Sequence, residues 1–196
     1  ETAMIAQIGS WVLFEACKQL KEWQDAGYQD ITISVNLSAR QFKDADLVET
    51  VEAAIKQAGI RPENLELEIT ESIALDDITY SIDTIQRLKE IGIKFSLDDF
   101  GTGYSNLAQM SKVAFDIVKL DKSLIDYIGD NNGEELLRHT VELAKYFGLN
   151  ITAEGVETKE QLDMLVELGI DYIQGYYFSK PLPADEFMAF MIENNK

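Results

Sequence analysis

Lys94-Phe95-Ser96-Leu97-Asp98-Asp99-Phe100-Gly101-Thr102-Gly103-Tyr104 sets the reading of the chain: a short strand-like run delivers two adjacent carboxylates into a glycine-rich corner. Neighbouring side chains on a strand point apart, so the pair can reach different cations. Gly101 and Gly103 let the following loop turn sharply. Alone, such a corner is more often an acidic turn than a site. Here it recurs. Asn36 follows ITISV, Glu68 and Glu71 lie in LELEITE, Lys119 and Asp121 in DIVKLD, Glu154 and Glu157 in ITAEGVE, and Gln174 follows DYI. Buried parallel strands read as short apolar, β-branched runs, and in α/β barrels the chemistry collects where those strands end.

Working outward, strand-like runs near residues 31–36, 65–70, 93–98, 115–120, 150–154 and 171–174 alternate with helical patterns near 44–58, 77–91, 133–147, 158–168 and 184–193. The chain opens on a further helical pattern from Thr2 to Trp23, with Ile5, Ile8, Trp11, Val12, Ala16 and Leu20 at helical spacing and Gly27 past its end. Gly59, Gly92, Gly148 and Gly169 stand where helices give way to strands. The pattern predicts an α/β fold with a mainly parallel sheet covered by helices. Polar groups at all six strand ends favour a closed TIM-type (β/α) barrel over an open sheet, which gathers its ligand contacts at one switch point. Closure takes eight strands and roughly 250 residues. About six strands are readable and the pattern begins on a helix, so the expected fold is a barrel incomplete at its N-terminal end, in one domain over residues 1–196.

Composition narrows the function classes. With 46% hydrophobic residues in 196, the chain can bury one substantial core. Seventeen Lys and Arg against thirty-five Asp and Glu leave a formal charge of −18, which argues against duplex nucleic acid or an anionic membrane surface as a nonspecific partner. An anionic ligand would need cations between it and the protein. Cys17 is the single cysteine, so no disulfide forms within the chain, which suits a reducing compartment such as the cytoplasm. No segment reads as a leader or membrane span; any membrane anchor would lie in upstream segments of a longer parent protein.

The site chemistry follows from residue type. The single histidine, His139, falls in a helical pattern far from any strand end and reads as a surface residue. Without a second histidine, and with one cysteine, histidine-rich zinc sites and Ser-His or Cys-His nucleophile pairs are improbable. Carboxylate and amide oxygens suit Mg²⁺ or Mn²⁺ instead. Two such ions can activate water and stabilise in-line displacement at phosphorus, so metal-assisted phosphodiester hydrolysis is expected. Lys119 interrupts an apolar strand, where a cation needs acidic company, and at the mouth it can orient a water or stabilise charge on a phosphoryl oxygen. A glycine-rich phosphate loop is the weaker alternative, since neither GxxxxGK(S/T) nor GxGxxG is met.

Taken in order, Ser34–Ser38, Glu66–Ser72, Asp98–Ser105, Val118–Asp121, Ala153–Thr158 and Gln174–Tyr176 resemble the EAL domain family of cyclic di-GMP phosphodiesterases over nearly the whole chain. The resemblance implies a modified TIM barrel that hydrolyses cyclic di-GMP to linear pGpG with two Mg²⁺ or Mn²⁺ ions. It implies Asn36, Glu68, Asp98, Asp99 and Glu154 as metal ligands, with Asp98 the bridge. Lys119 would position the attacking water and Gln174 would contact the water and metal shell. Glu71 would steady the Asp98–Ser105 loop, which in the family also serves dimer-linked regulation, and Glu157 would be a supporting carboxylate. Asp121, in the family's Lys-x-Asp pattern, is assigned to substrate binding. A homodimer and an adjoining sensor or diguanylate-cyclase-type domain are the expected partners. The Glu-Ala-Leu signature and the arginine after it lie upstream of this chain's first helix in the family, so neither role falls on a residue here. That departure leaves a second expectation: a catalytically impaired receptor or dimerisation domain.

Overall fold

The computed structural model describes residues 2–101 and 112–194. Helix α1 (Thr2–Asp25) leads into β1 (Ile33–Asn36), followed by α2 (Ala39–Phe42), α3 (Leu47–Ala58), β2 (Leu65–Thr70), α4 (Glu71–Asp76), α5 (Ile78–Ile91) and β3 (Lys94–Phe100). The second half adds β4 (Ile117–Leu120), α6 (Lys122–Ile125), α7 (Asn131–Tyr146), β5 (Asn150–Ala153), α8 (Lys159–Glu167), β6 (Tyr172–Ile173) and α9 (Ala184–Asn194). All neighbouring strands pair in parallel and in sequence order, β1 to β6, which makes a half-barrel. Among the described residues, the outer edges of β1 and β6 are unpaired.

The core lies between the convex side of this sheet and the helices. Leu65, Leu67, Ile69, Phe95, Leu97, Val118, Leu120 and Ile151 point outward from alternate strand positions and are buried against Val51, Ala54, Ile55, Ile85, Leu88, Leu137, Val141 and Leu165 from the helices. Each fully buried large aliphatic or aromatic side chain contributes about 1.5–3 kcal/mol of transfer free energy. The helices stop where the sequence says they must: Gly59 and Gly92 close α3 and α5 in the left-handed conformation. In α1 the structure selects between two apolar stripes, burying Leu13, Cys17 and Leu20 while Ile5, Ile8, Trp11 and Val12 stay exposed.

Three elements escape the periodicity reading. Helices α2, α4 and α6 each follow closely on a strand end and span only four, six and four residues, too few for a helical period to show. Their start signals are local. Ser38 and Gln41 form a capping box at α2, and Asp121 caps α6 through Ser123 N at 3.0 Å. The opposite end of the sheet is tied by carboxylates: Asp116 accepts from Phe95 N at 2.9 Å and from Lys89 Nζ at 2.7 Å, and Asp171 accepts from Ile151 N at 2.8 Å. Each aspartate precedes a strand and fixes the start of the preceding one. No helix among the described residues is long and apolar enough to cross a membrane.

Candidate functional site at the strand ends

Because every strand runs the same way, the six C-terminal ends share one rim. Alternation then sends Glu66 and Glu68 of β2, Lys94, Ser96 and Asp98 of β3, and Ile117 and Lys119 of β4 toward the concave side. Lys119 and Glu68, 7% and 4% exposed, meet at 2.6 Å. The same ammonium lies 2.7 Å from Glu154, just past β5, and 3.6 Å from Asp98. The cation placed inside an apolar strand has therefore found three acidic partners, drawn from three different strand ends.

One positive charge serves three negative ones. Burial raises the Glu68 and Glu154 carboxyls above their ordinary range; Lys119 pulls them back, and repulsion adds to the rise, from Asp98 and Glu66 on Glu68 and from Asp98 and Glu68 on Glu154. Burial alone would lower Lys119, but its hydrogen bonds to Glu154 and Glu68 outweigh that and hold it above its ordinary value. At neutral pH it is an ammonium.

The Asp98–Asp99 pair owes its placement to a β-bulge. Leu97 pairs with Val118 and Phe100 with Leu120, so two residues of β3 stand opposite Lys119 alone. The bulge reverses the alternation: Phe100 enters the core instead of Asp99, Asp98 keeps its inward place, and Asp99 is exposed at the rim with a φ of 59°. Asp99 N donates to Asp98 Oδ1 at 3.0 Å. Burial, then the charges of Asp98 and Asp121, raise the Asp99 carboxyl. A left-handed non-glycine residue of this kind costs about 1–3 kcal/mol and gathers at functional sites. Of the Asp98–Ser105 loop, Thr102 to Ser105 lie outside the described residues.

Other expected site residues stand around this centre. Asn36 ends β1 in register with Glu68. Glu71 is the first residue of α4, directly beyond β2, where a carboxylate complements the helix N-terminus. Gln174 is exposed just past β6, its N–H donating to Ala153 O at 2.8 Å. Asp121 is engaged as the cap of α6, and its hydrogen bonds with Ser123 hold its carboxyl below the usual range. Glu157 lies farther out, paired with Lys122 at 3.2 Å and not with Lys119. Lys122, which also pairs with Asp126 at 3.0 Å, sits on a four-residue helix, which carries no periodic signal in the sequence. Glu66 stands below the strand-end positions, and its spacing of two from Glu68 places it on the same strand face. His139 is on the surface of α7 beside Glu142, as expected.

The donor chemistry here is oxygen-rich, anionic and short of positive charge, which fits a hard divalent cation. The spacing differs from that of a formed site. Among the described residues, no three His, Cys, Asp or Glu side chains are grouped so as to hold an ion, and the Lys119 ammonium stands where Glu68, Asp98 and Glu154 converge.

A family model described as EAL domain matches residues 1–181. Among curated proteins, the chain is 40% identical to the bifunctional diguanylate cyclase/cyclic di-GMP phosphodiesterase MucR of Pseudomonas aeruginosa, over 96% of this chain and 28% of that protein. It is 39% identical to the signaling protein YkoW of Bacillus subtilis, over 98% of this chain and 24% of that one. The chain thus spans about a quarter of the length of these relatives. A solved structure of the PaMucR phosphodiesterase in complex with c-di-GMP superposes with a TM-score of 0.91 at 40% identity, covering 95% of this chain and 76% of that one.

Proposed function

The chain belongs to the EAL domain family, and from that premise we propose that residues 1–196 act as one domain of a cytoplasmic protein that hydrolyses cyclic di-GMP to linear pGpG with two divalent ions, Mg²⁺ or Mn²⁺. The observation that carries this is the convergence of Glu68, Asp98 and Glu154 on one buried ammonium at the strand ends. The ions would be held by Asn36, Glu68, Asp98, Asp99 and Glu154. The chemistry they supply is a water of lowered pKa and neutralisation of charge on the phosphoryl oxygens.

The chain's own groups do the positioning. Lys119 donates to the attacking water or to a phosphoryl oxygen, and Gln174 orients the same water from β6. Glu71 braces the loop that begins at Asp98, and Glu157 braces the loop after β5 through Lys122. Asp121 contacts the dinucleotide from the start of α6. The diester's two phosphates meet a rim whose net negative charge only bound cations can reverse, so binding of the nucleotide and of metal are coupled. A homodimer joined near the Asp98–Ser105 loop, and a sensor or cyclase-type domain elsewhere in the protein, complete the proposal.

A second reading, binding of the dinucleotide without turnover, is favoured by one feature: Lys119 stands at the convergence of the carboxylates. Chromatographic assay of cyclic di-GMP with Mg²⁺ or Mn²⁺, on residues 1–196 and on the full product of the gene, separates the two. Release of pGpG by either supports the enzyme. Nucleotide binding with no product from both supports the receptor. Neither binding nor product overturns both readings.

A further inference from the structure

Lys119 and Glu68 stand on β4 and β2, and the strand between them is β3. Neighbouring strands lie about 4.8 Å apart, so the 2.6 Å contact between these side chains closes a gap of roughly 10 Å between backbones. Both stems must therefore cross the concave face of β3. Register fixes what lies beneath the crossing: Ser96 is directly opposite Glu68 on one side and Ile117 on the other, and Asp98, the next inward residue, stands opposite Lys119 within the bulge. The inward side chains around Ser96 are all larger. Glu66, Glu68, Lys94, Ile117 and Lys119 line the concave cavity, whereas Ser96 is 0% exposed, covered by its neighbours. Its hydroxyl is buried and has no hydrogen-bond partner among the described residues. A hydroxyl in that state is a cost, so what the position contributes is room and not a donor.

We propose that Ser96 is a positioning residue acting through Lys119: its short side chain is the gap that lets the lysine stem cross β3, and its size sets where the ammonium stands among Glu68, Asp98 and Glu154. This rests on the reading that places Lys119 on the attacking water. An ammonium has three N–H donors. Two are engaged by Glu68 and Glu154 at 2.6 and 2.7 Å, and Asp98 at 3.6 Å lies beyond a normal hydrogen bond, so the third is available to a water or phosphoryl oxygen at the rim. Its direction follows from the other two. A branched side chain at position 96 would lift the stem, part Lys119 from Glu68 and turn the third donor aside, with every charge of the site still in place.

The test is a size series at this position. Ser96→Ala, Ser96→Thr and Ser96→Val are compared with wild type for turnover of cyclic di-GMP with Mn²⁺ by the full product of the gene, with kcat and KM read separately and fold checked by circular dichroism. Ser96→Ala keeps the gap and should retain kcat within about twofold. Ser96→Val should lower kcat by about a hundredfold with KM changed by less than about threefold, as displacement of a group that acts in the transition state does, and Ser96→Thr should fall between. A second readout needs neither metal nor turnover. Ser96→Val should lower the melting temperature of metal-free residues 1–196 by about 5 °C or more, but by less than about 2 °C in a Lys119→Ala or Glu68→Ala background, where one of the crossing stems is gone. Wild-type kcat in Ser96→Val overturns the proposal, as does a loss in Ser96→Ala equal to that in Ser96→Val, or an equal melting shift in every background. Should Ser96→Val not fold, Ser96→Thr takes its place under the same criteria. If wild type releases no pGpG, the phosphodiesterase reading fails, and the melting comparison still decides the role of Ser96.

Discussion

Glu154 enters the rim from just past β5, and its exchange for glutamine keeps the shape while removing one of the charges that converge on Lys119. Turnover of cyclic di-GMP by Glu154→Gln is expected to fall by about a hundredfold or more, measured as pGpG release at saturating metal. Full retention of rate would remove Glu154 from the metal set. Cys17 tests a different property of single residues, because it is buried in α1 and burial pushes its thiol up to about 11. The unfolded chain releases that proton at lower pH than the folded one does. Stability therefore carries the full Cys17 contribution below the ordinary thiol range and loses it as pH rises toward 11. The melting temperature of the wild type should drop more steeply than that of Cys17→Ala between roughly pH 9 and 11. Parallel curves would show that the thiol ionises freely in the folded state.

Among the elements, the strand β3 shows how local rules combine to place a site. Its period-two pattern from Lys94 to Asp98 is visible in the sequence, whereas the bulge that carries it on to Phe100 depends on its pairing with β4. The anchoring of β3 at its other end is equally specific, since Asp116 holds Phe95 N and Lys89 Nζ at once. Hydrogen bonds to a charged group contribute about 1.5–3 kcal/mol, so Asp116→Ala should lower unfolding free energy in urea by about 2 kcal/mol. It lies at the opposite end of the strands from the rim, and turnover per folded molecule should stay within about twofold of wild type. A large loss of turnover in the folded variant would show that strand register at the base controls rim geometry. At α2, Ser38→Ala removes the side-chain half of a capping box and should cost about 1 kcal/mol in the same measurement.

At the scale of the whole molecule, a formal charge of −18 on 196 residues means that folding concentrates repulsion, and the rim gathers much of it in one place. Raising NaCl from about 10 mM to about 150 mM, which shortens the Debye length from roughly 30 to 8 Å, should raise the metal-free melting temperature. A decrease would mean that attractive pairs such as Lys122–Glu157 outweigh the net repulsion. The alternation of elements, the parallel sheet and the clustering of Asn36, Glu68, Asp98, Lys119 and Glu154 at one end were all legible in the chain. Periodicity and strand-end chemistry are local, and parallel connection forces the strand ends to one side. What only the tertiary structure decided is who meets whom: that Lys119 binds Glu68 and Glu154 closely and Asp98 less so, that Glu157 turns to Lys122, that Asp121 is spent on a helix cap, and that a bulge separates Asp98 from Asp99. Those outcomes depend on register and distance between strands brought together from 51 residues apart in sequence for Lys119 and Glu68, which no local pattern encodes.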